Sequence, residues 1–171
     1  GKQDDELTSI AIAGLSDLHG LLSPQEVEID EPNLSKEILK RRFFVGGASI
    51  LASFVEKLRS DFGQRFFLLD SGNSLFGSLD SQITQKRPAD GMIRFFKQIR
   101  LDAALPSPKD LKWLKEKFSS SDLPLPYVLT DSDSKIKMPT SALIVRPSIT
   151  LGVLGWNDRE HLPLSEVQSR V

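Results

Sequence analysis

Three short polar stretches carry the residues able to do chemistry. They are Ser16-Asp17-Leu18-His19-Gly20, Asp70-Ser71-Gly72-Asn73-Ser74 and Pro106-Ser107-Pro108-Lys109-Asp110. Each follows an apolar run, and loops at the carboxyl ends of strands in α/β folds are where binding chemistry tends to sit. Asp17 and His19 make a turn whose polar groups can bond each other and the backbone. Asn73, beside Gly72, suits a turn because it tolerates the left-handed region. Ser107, Pro108 and Asp110 spell a helix start, as N-cap, N1 and the N3 partner of a capping box. That helix N-terminus at Ser107, with Gly72, Asn73 and Ser74 beside it, is a candidate anion site for a small phosphorylated ligand.

The elements that must position these loops are legible in the apolar pattern. Leu7–Leu15 is β-branched and apolar enough for a buried strand. Residues 23–45, with Pro24, Pro32 and many acidic side chains, read as loop with a short helix around Leu34–Arg41. Ile50, Leu51, Phe54, Val55 and Leu58 then fall on one face of an amphipathic helix that ends at Phe62-Gly63. A strand at Arg65–Leu69 follows, then a helix over Pro88–Ile99 with Met92, Ile93, Phe96 and Ile99 inward. Asp102–Leu105 is a short strand, and Ser107–Phe118 is a helix burying Leu111, Leu114 and Phe118 with Trp113 over that face. Tyr127–Thr130 is a strand, and Ser141–Arg146 and Thr150–Gly155 form a hairpin about Pro147-Ser148. This alternation predicts an α/β fold with a largely parallel sheet, its three polar loops on one edge.

Composition narrows the function classes. The 171 residues carry a formal net charge of −1 and no cysteine. Disulfides, thiolate metal sites and a cysteine nucleophile are excluded together. No basic stripe points to nucleic acid; the one basic cluster, Lys40-Arg41-Arg42, reads as a solvated helix end or loop. No apolar run approaches the roughly 20 residues of a membrane span. The chain opens on Gly1 rather than Met, which suggests a processed or trimmed N-terminus. Residues 1–6 read as a polar tether, 7–157 as one domain and 158–171 as a polar tail.

Taken in order, the motifs resemble the calcineurin-like metallophosphoesterases, and among them the N-terminal domain of the 5′-nucleotidase and UDP-sugar hydrolase family. The family's first strand ends in Asp-x-His-Gly, here Asp17-Leu18-His19-Gly20, and a Gly-Gly, here Gly46-Gly47, opens its first helix. Its second strand ends in Asp-x-Gly-Asp with a Gly-Ser beyond, here Asp70-Ser71-Gly72-Asn73 and Gly77-Ser78. Its third strand follows a Tyr-Asp-Ala-like step and ends in Gly-Asn-His-Glu. The counterpart here is Leu101-Asp102-Ala103-Ala104 running into Ser107-Pro108-Lys109-Asp110. The strand Thr150–Trp156 is similar to the family's Gly-x-x-x-Gly strand. The resemblance implies a layered α/β sandwich with a mixed, mostly parallel sheet.

It also implies two divalent metals that activate a water and clamp a phosphate ester. In that scheme the first Asp and His ligate one metal, the Asp after glycine bridges both, and the Asn and His of the third loop ligate metal and assist the leaving group. This sequence keeps Asp17 and His19. Asn73 stands at the bridging position, and a neutral amide is a poor bridge between dications. Pro108 replaces the ligand Asn. Lys109 replaces the catalytic His, where a cation repels metal, and Asp110 takes the acidic place. The only other histidine, His161, lies in the tail.

Asp17, His19, Asn73, Lys109 and Asp110 are therefore expected to form a vestigial site with no catalytic residue. No cofactor is expected beyond a single weakly held divalent metal at Asp17 and His19. Lys109 is expected to set its ammonium in the emptied metal position against Asp17. The leading functional reading is a non-catalytic domain with a binding or structural role. Its alternatives are a weak metal-dependent phosphoesterase and a nucleotide- or phosphate-binding module. A short sandwich with one uncovered face predicts a homodimer or a protein partner. The family resemblance implies an exported protein.

Overall fold

A computed structural model describes residues 9–32, 38–77, 89–119, 122–130 and 138–156. The elements in chain order are β1 (Ala11–Leu15), β2 (Gln25–Pro32), β3 (Ile38–Val45), α1 (Ala48–Phe62), β4 (Phe66–Asp70), α2 (Asp90–Gln98), β5 (Ala103–Ala104), α3 (Pro108–Lys117), β6 (Ser141–Arg146) and β7 (Ile149–Leu154). The expected tether 1–6, tail 158–171, Ser78, Pro88 and His161 lie outside the described residues.

β1, β4 and β5 form a parallel sheet in the order β1-β4-β5, with Leu15 opposite Asp70 and Asp70 opposite Ala104. Tyr127 extends it by a parallel bridge to Ala104. The expected strand at 127–130 is thus reduced to one bridge, because its remaining backbone bonds turn elsewhere: Leu129 N–H donates to Pro139 and Thr130 N–H to Gly155. The fold is α/β with a parallel sheet, as the strand–helix alternation predicts.

Side chains alternate across a strand, and here the alternation makes two layers. Ala11, Ala13, Leu15, Phe66, Leu68 and Ala104 face the helices and join one core with Val55, Met92, Phe96, Ile99 and Leu114. Burying each large member removes it from water at a gain of about 1.5–3 kcal/mol. α3 begins as expected. Ser107 is the N-cap, Pro108 opens the helix, and Ser107 and Asp110 exchange both bonds of a capping box. Trp113 stacks edge-on against Phe118 and Phe76, at centroid distances of 5.2 and 5.7 Å.

The opposite sheet face meets the antiparallel hairpin β6–β7. Arg146 lies 5.7 Å over the Phe67 ring and pairs with Asp102, tying the hairpin to the sheet. Ile144, Leu151 and Val153 turn inward and are half-buried, whereas Leu143 and Val145 on the outer face are 73% and 68% exposed. Ile12 on the sheet itself is 51% exposed.

One expectation is overturned. Residues 25–32 and 38–45 are not loop and helix but an antiparallel pair, with Val27 opposite Phe43 and Glu28 opposite Arg42. The acidic residues that suggested loop alternate with Val27 and Ile29, a period of two that belongs to a strand. Their charges are matched across the pair. Lys40 meets Glu28 at 2.7 Å, and Arg42 reaches Glu28 at 3.3 Å and Glu26 at 3.6 Å. The basic cluster is therefore solvated as expected, but it lies on a strand as the cross-strand partner of the acidic run rather than at a helix end or in a loop.

Candidate functional site

The three polar loops meet at the carboxyl ends of β1, β4 and β5, and backbone bonds hold them together. Asp17 N–H donates to Gly72 C=O at 3.0 Å, His19 N–H to Asn73 C=O at 3.1 Å and Gly20 N–H to Ser74 C=O at 2.7 Å. Leu105 N–H donates to Asp70 C=O at 2.8 Å, which fastens the third loop. Asp17, His19 and Asn73 all sit at positive φ, of 54°, 52° and 59°. Asp, His and Asn are the non-glycine types that best tolerate this region, and three in one site is the kind of backbone strain that gathers at functional loops. His19 packs on Gly77, where a Cβ would come within 2.9 Å of its Nδ1.

The side chains show what the loops now hold. Asn73 Nδ2 donates to Asp17 Oδ1 at 2.8 Å. A carboxylate can only accept, so the amide nitrogen must face it. That bond, followed by one from Ser16, holds the Asp17 carboxyl below its usual range. His19 Nε2 lies 4.0 Å from the same Oδ1. Lys109 does not take the expected position against Asp17. Its ammonium sits 5.6 Å over the Phe76 ring, and Asp17 is met by Asn73 instead. The α3 entry sets this outcome, since Pro108 and the capping box fix where Lys109 leaves the helix.

The donors expected to hold an anion are engaged within the protein. Ser74 Oγ donates to Asp70 Oδ1 at 2.7 Å, and Ser107 N–H donates to Asp110 Oδ2 at 2.9 Å. Gly72 N–H also bonds the Asp70 carboxylate. Asp110 thus supplies the α3 N-terminus with its own anion.

Beneath the rim lies a buried acidic layer of which sequence reasoning singled out only Asp110. Asp70 is 6% and Asp110 2% exposed. Burial pushes the Asp70 carboxyl up to about 6, with the nearby Asp110 charge adding to the rise. Burial raises Asp110 as well, and burial together with the two carboxylates raises the Tyr127 hydroxyl. Asp110 Oδ1 and the Tyr127 hydroxyl have no hydrogen-bond partner among the described residues. A charged residue closing the apolar run Phe66–Leu69 was the available signal for Asp70.

No protein-family model and no curated protein matches the sequence. Solved structures do match. A 5′-nucleotidase precursor from Thermus thermophilus is similar with a TM-score of 0.57 at 17% identity, over 86% of this chain and 28% of that one. The chain has the calcineurin-like phosphoesterase fold. Further structures sharing it are the Thermus thermophilus sulfate thiohydrolase SoxB and the calcineurin-like phosphoesterase YfkN from Bacillus subtilis. SoxB matches at TM-score 0.55 and 14% identity, over 87% of this chain and 36% of its own. YfkN matches at 0.54 and 14%, over 86% of this chain and 48% of its own. The chain therefore spans between 28% and 48% of the lengths of these three structures.

The phosphoesterase fold implies a two-metal centre, and the residues present do not fit one. Among the described residues no three His, Asp or Glu side chains converge to hold a metal. The amide nitrogen of Asn73 faces Asp17 with a hydrogen-bond donor where a bridging carboxylate would offer an acceptor. Asp70 and Asp110 are turned into the interior and bonded to Ser74 and Ser107.

Proposed function

We propose that this chain is a non-catalytic metallophosphoesterase-like domain whose role is binding, to a protein partner or to a second copy of itself. The bond from Asn73 to Asp17 carries this reading. It replaces a shared metal with a neutral donor, so the rim closes on itself without a cation. An exported location, implied by the family resemblance, belongs to the same proposal.

The native protein is expected to hydrolyse neither p-nitrophenyl phosphate nor 5′-AMP above the buffer rate when Mn²⁺ is added. Metal-dependent turnover that survives repurification would overturn the reading. Asn73→Asp sharpens the test. It sets two carboxylates against each other on a backbone that already suits Asp, so the variant should melt below the native protein in EDTA. Added Mn²⁺ should then raise its melting temperature and leave the native protein unmoved. Equal melting of the two proteins in EDTA would show that the amide is not what holds Asp17.

The binding half of the reading is supported by the outer face of β6–β7, where Leu143 and Val145 stand in solvent beside Leu154, itself 47% exposed. Contiguous apolar surface of this kind marks association sites. Sedimentation equilibrium should detect self-association that Val145→Lys weakens. Association undiminished by Val145→Lys would move the contact to another face.

A further inference from the structure

The amino-terminal ends of the parallel strands, opposite the loops described above, enclose a second polar site. A cavity of about 470 Å³ there is lined by Arg59, Arg100, Arg146, Gln64, Asp102 and Phe66 among others. Three guanidiniums face one carboxylate. That carboxylate is already engaged: Asp102 pairs with Arg146 through one oxygen and accepts Leu68 N–H at 2.9 Å with the other.

Two of the arginines are held in ways that packing alone does not explain. Arg59 donates through Nη2 to the carbonyls of Ile99 and Arg100, at 2.8 and 2.6 Å, and lies 5.2 Å over the Phe66 ring. Those contacts close the end of α2, yet its Nε–H is buried with no partner among the described residues. Arg100 follows the last turn of α2 at φ 52°, with its N–H on Lys97 C=O and Leu101 N–H on Phe96 C=O. That position strongly favours glycine. An arginine there accepts backbone strain to bring its side chain to the cavity mouth. It pairs with Glu56 at 3.6 Å, an exposed pair of the kind that contributes little. The guanidiniums also act on one another: burial and then the Arg100 charge lower the proton affinity of Arg59, and Arg146 adds to the effect.

We infer that this cavity binds the phosphate group of a small phosphorylated molecule, held by Arg59, Arg100 and Arg146. Even with Asp102 paired to Arg146 and Glu56 to Arg100, the three guanidiniums keep an excess of positive charge at the cavity, and arginine's planar fork suits a tetrahedral oxyanion. The cavity is within the range of small-molecule sites, roughly 300–1,000 Å³. The inference does not depend on the proposed loss of catalysis, since it uses none of the rim residues.

Thermal melting and calorimetric titration of the full chain test it, with inorganic phosphate and glycerol 3-phosphate as probes and sodium chloride at matched ionic strength. Either phosphate source should raise the melting temperature, and the tighter of the two names the source. Arg100→Gly should melt higher than the native protein without ligand, because glycine suits the left-handed position. It should nevertheless bind the better phosphate probe weaker by roughly tenfold or more. A structural arginine would not move these two readouts in opposite directions. An equal shift from chloride, no response to either probe, or unchanged affinity in Arg100→Gly overturns the assignment.

Discussion

Asp70→Asn is expected to stabilise the fold at about pH 7.5 by up to about 3 kcal/mol, although it alters a buried, hydrogen-bonded side chain. Burial moves the Asp70 carboxyl from 3.8 up to about 6 in the folded protein, with the Asp110 charge adding to it and the Ser74 and Gly72 bonds opposing it. Between these two values the folded protein keeps a proton that the unfolded chain has lost. Stability therefore falls as pH rises through that window and is fully present only below 3.8. Each tenfold difference in proton affinity is about 1.4 kcal/mol, which sets the upper size of the effect. Asparagine removes the charge and keeps an oxygen for the Ser74 hydroxyl. The titratable groups around Asp70 are Asp110, Tyr127 and Asp17. Asp110 is displaced in the same direction by burial, so part of the slope should survive in the variant; Asp17 is displaced the other way and acts below 3.8. Urea unfolding at about pH 5 and about pH 7.5 provides the check. A native stability that is flat or rising across that interval would show that Asp70 does not carry this burden.

The second large effect belongs to Gly72, whose φ is +100° and whose added Cβ would lie 2.8 Å from the Leu105 carbonyl oxygen. An L-residue there meets both backbone strain and a backbone clash that no side-chain rotation relieves. Gly72→Ala should cost roughly 3 kcal/mol or more, lowering the melting temperature by roughly 6–12 °C in a chain of this size. Because Gly72 C=O accepts from Asp17 and its carbon abuts Leu105, the loss should reach all three loops together. Gly63→Ala separates the two causes. Gly63 has φ +55° and ψ −125° but open space around a Cβ, so only the conformational part, roughly 1–3 kcal/mol, should appear. Equal losses at the two positions would rule out the contact with Leu105.

What could be read in advance followed from local chemistry. The α3 entry was legible because Ser107, Pro108 and Asp110 act on their own backbone within one turn. α1 and the apolar run of β4 were legible for the same reason, their patterns matching the period of the element. The β2–β3 pair was missed because its evidence is split. β2 carries a period of two in Val27 and Ile29, but its charges read as loop until the register sets Glu28 against Lys40 and Arg42.

The site divides along the same line. That Asn73 offers an amide and Lys109 an ammonium is written in residue identity, and so is the α/β alternation that brings the loops to one edge. Where those side chains turn is not. Asn73 on Asp17, Lys109 on Phe76, the buried layer of Asp70, Asp110 and Tyr127, and the arginines gathered from α1, the end of α2 and β6 all join residues distant along the chain. Residue type and local period settle what each segment prefers to become. Burial, charge pairing and backbone clashes between segments exist only after folding, so the tertiary structure alone decided which of these groups would meet.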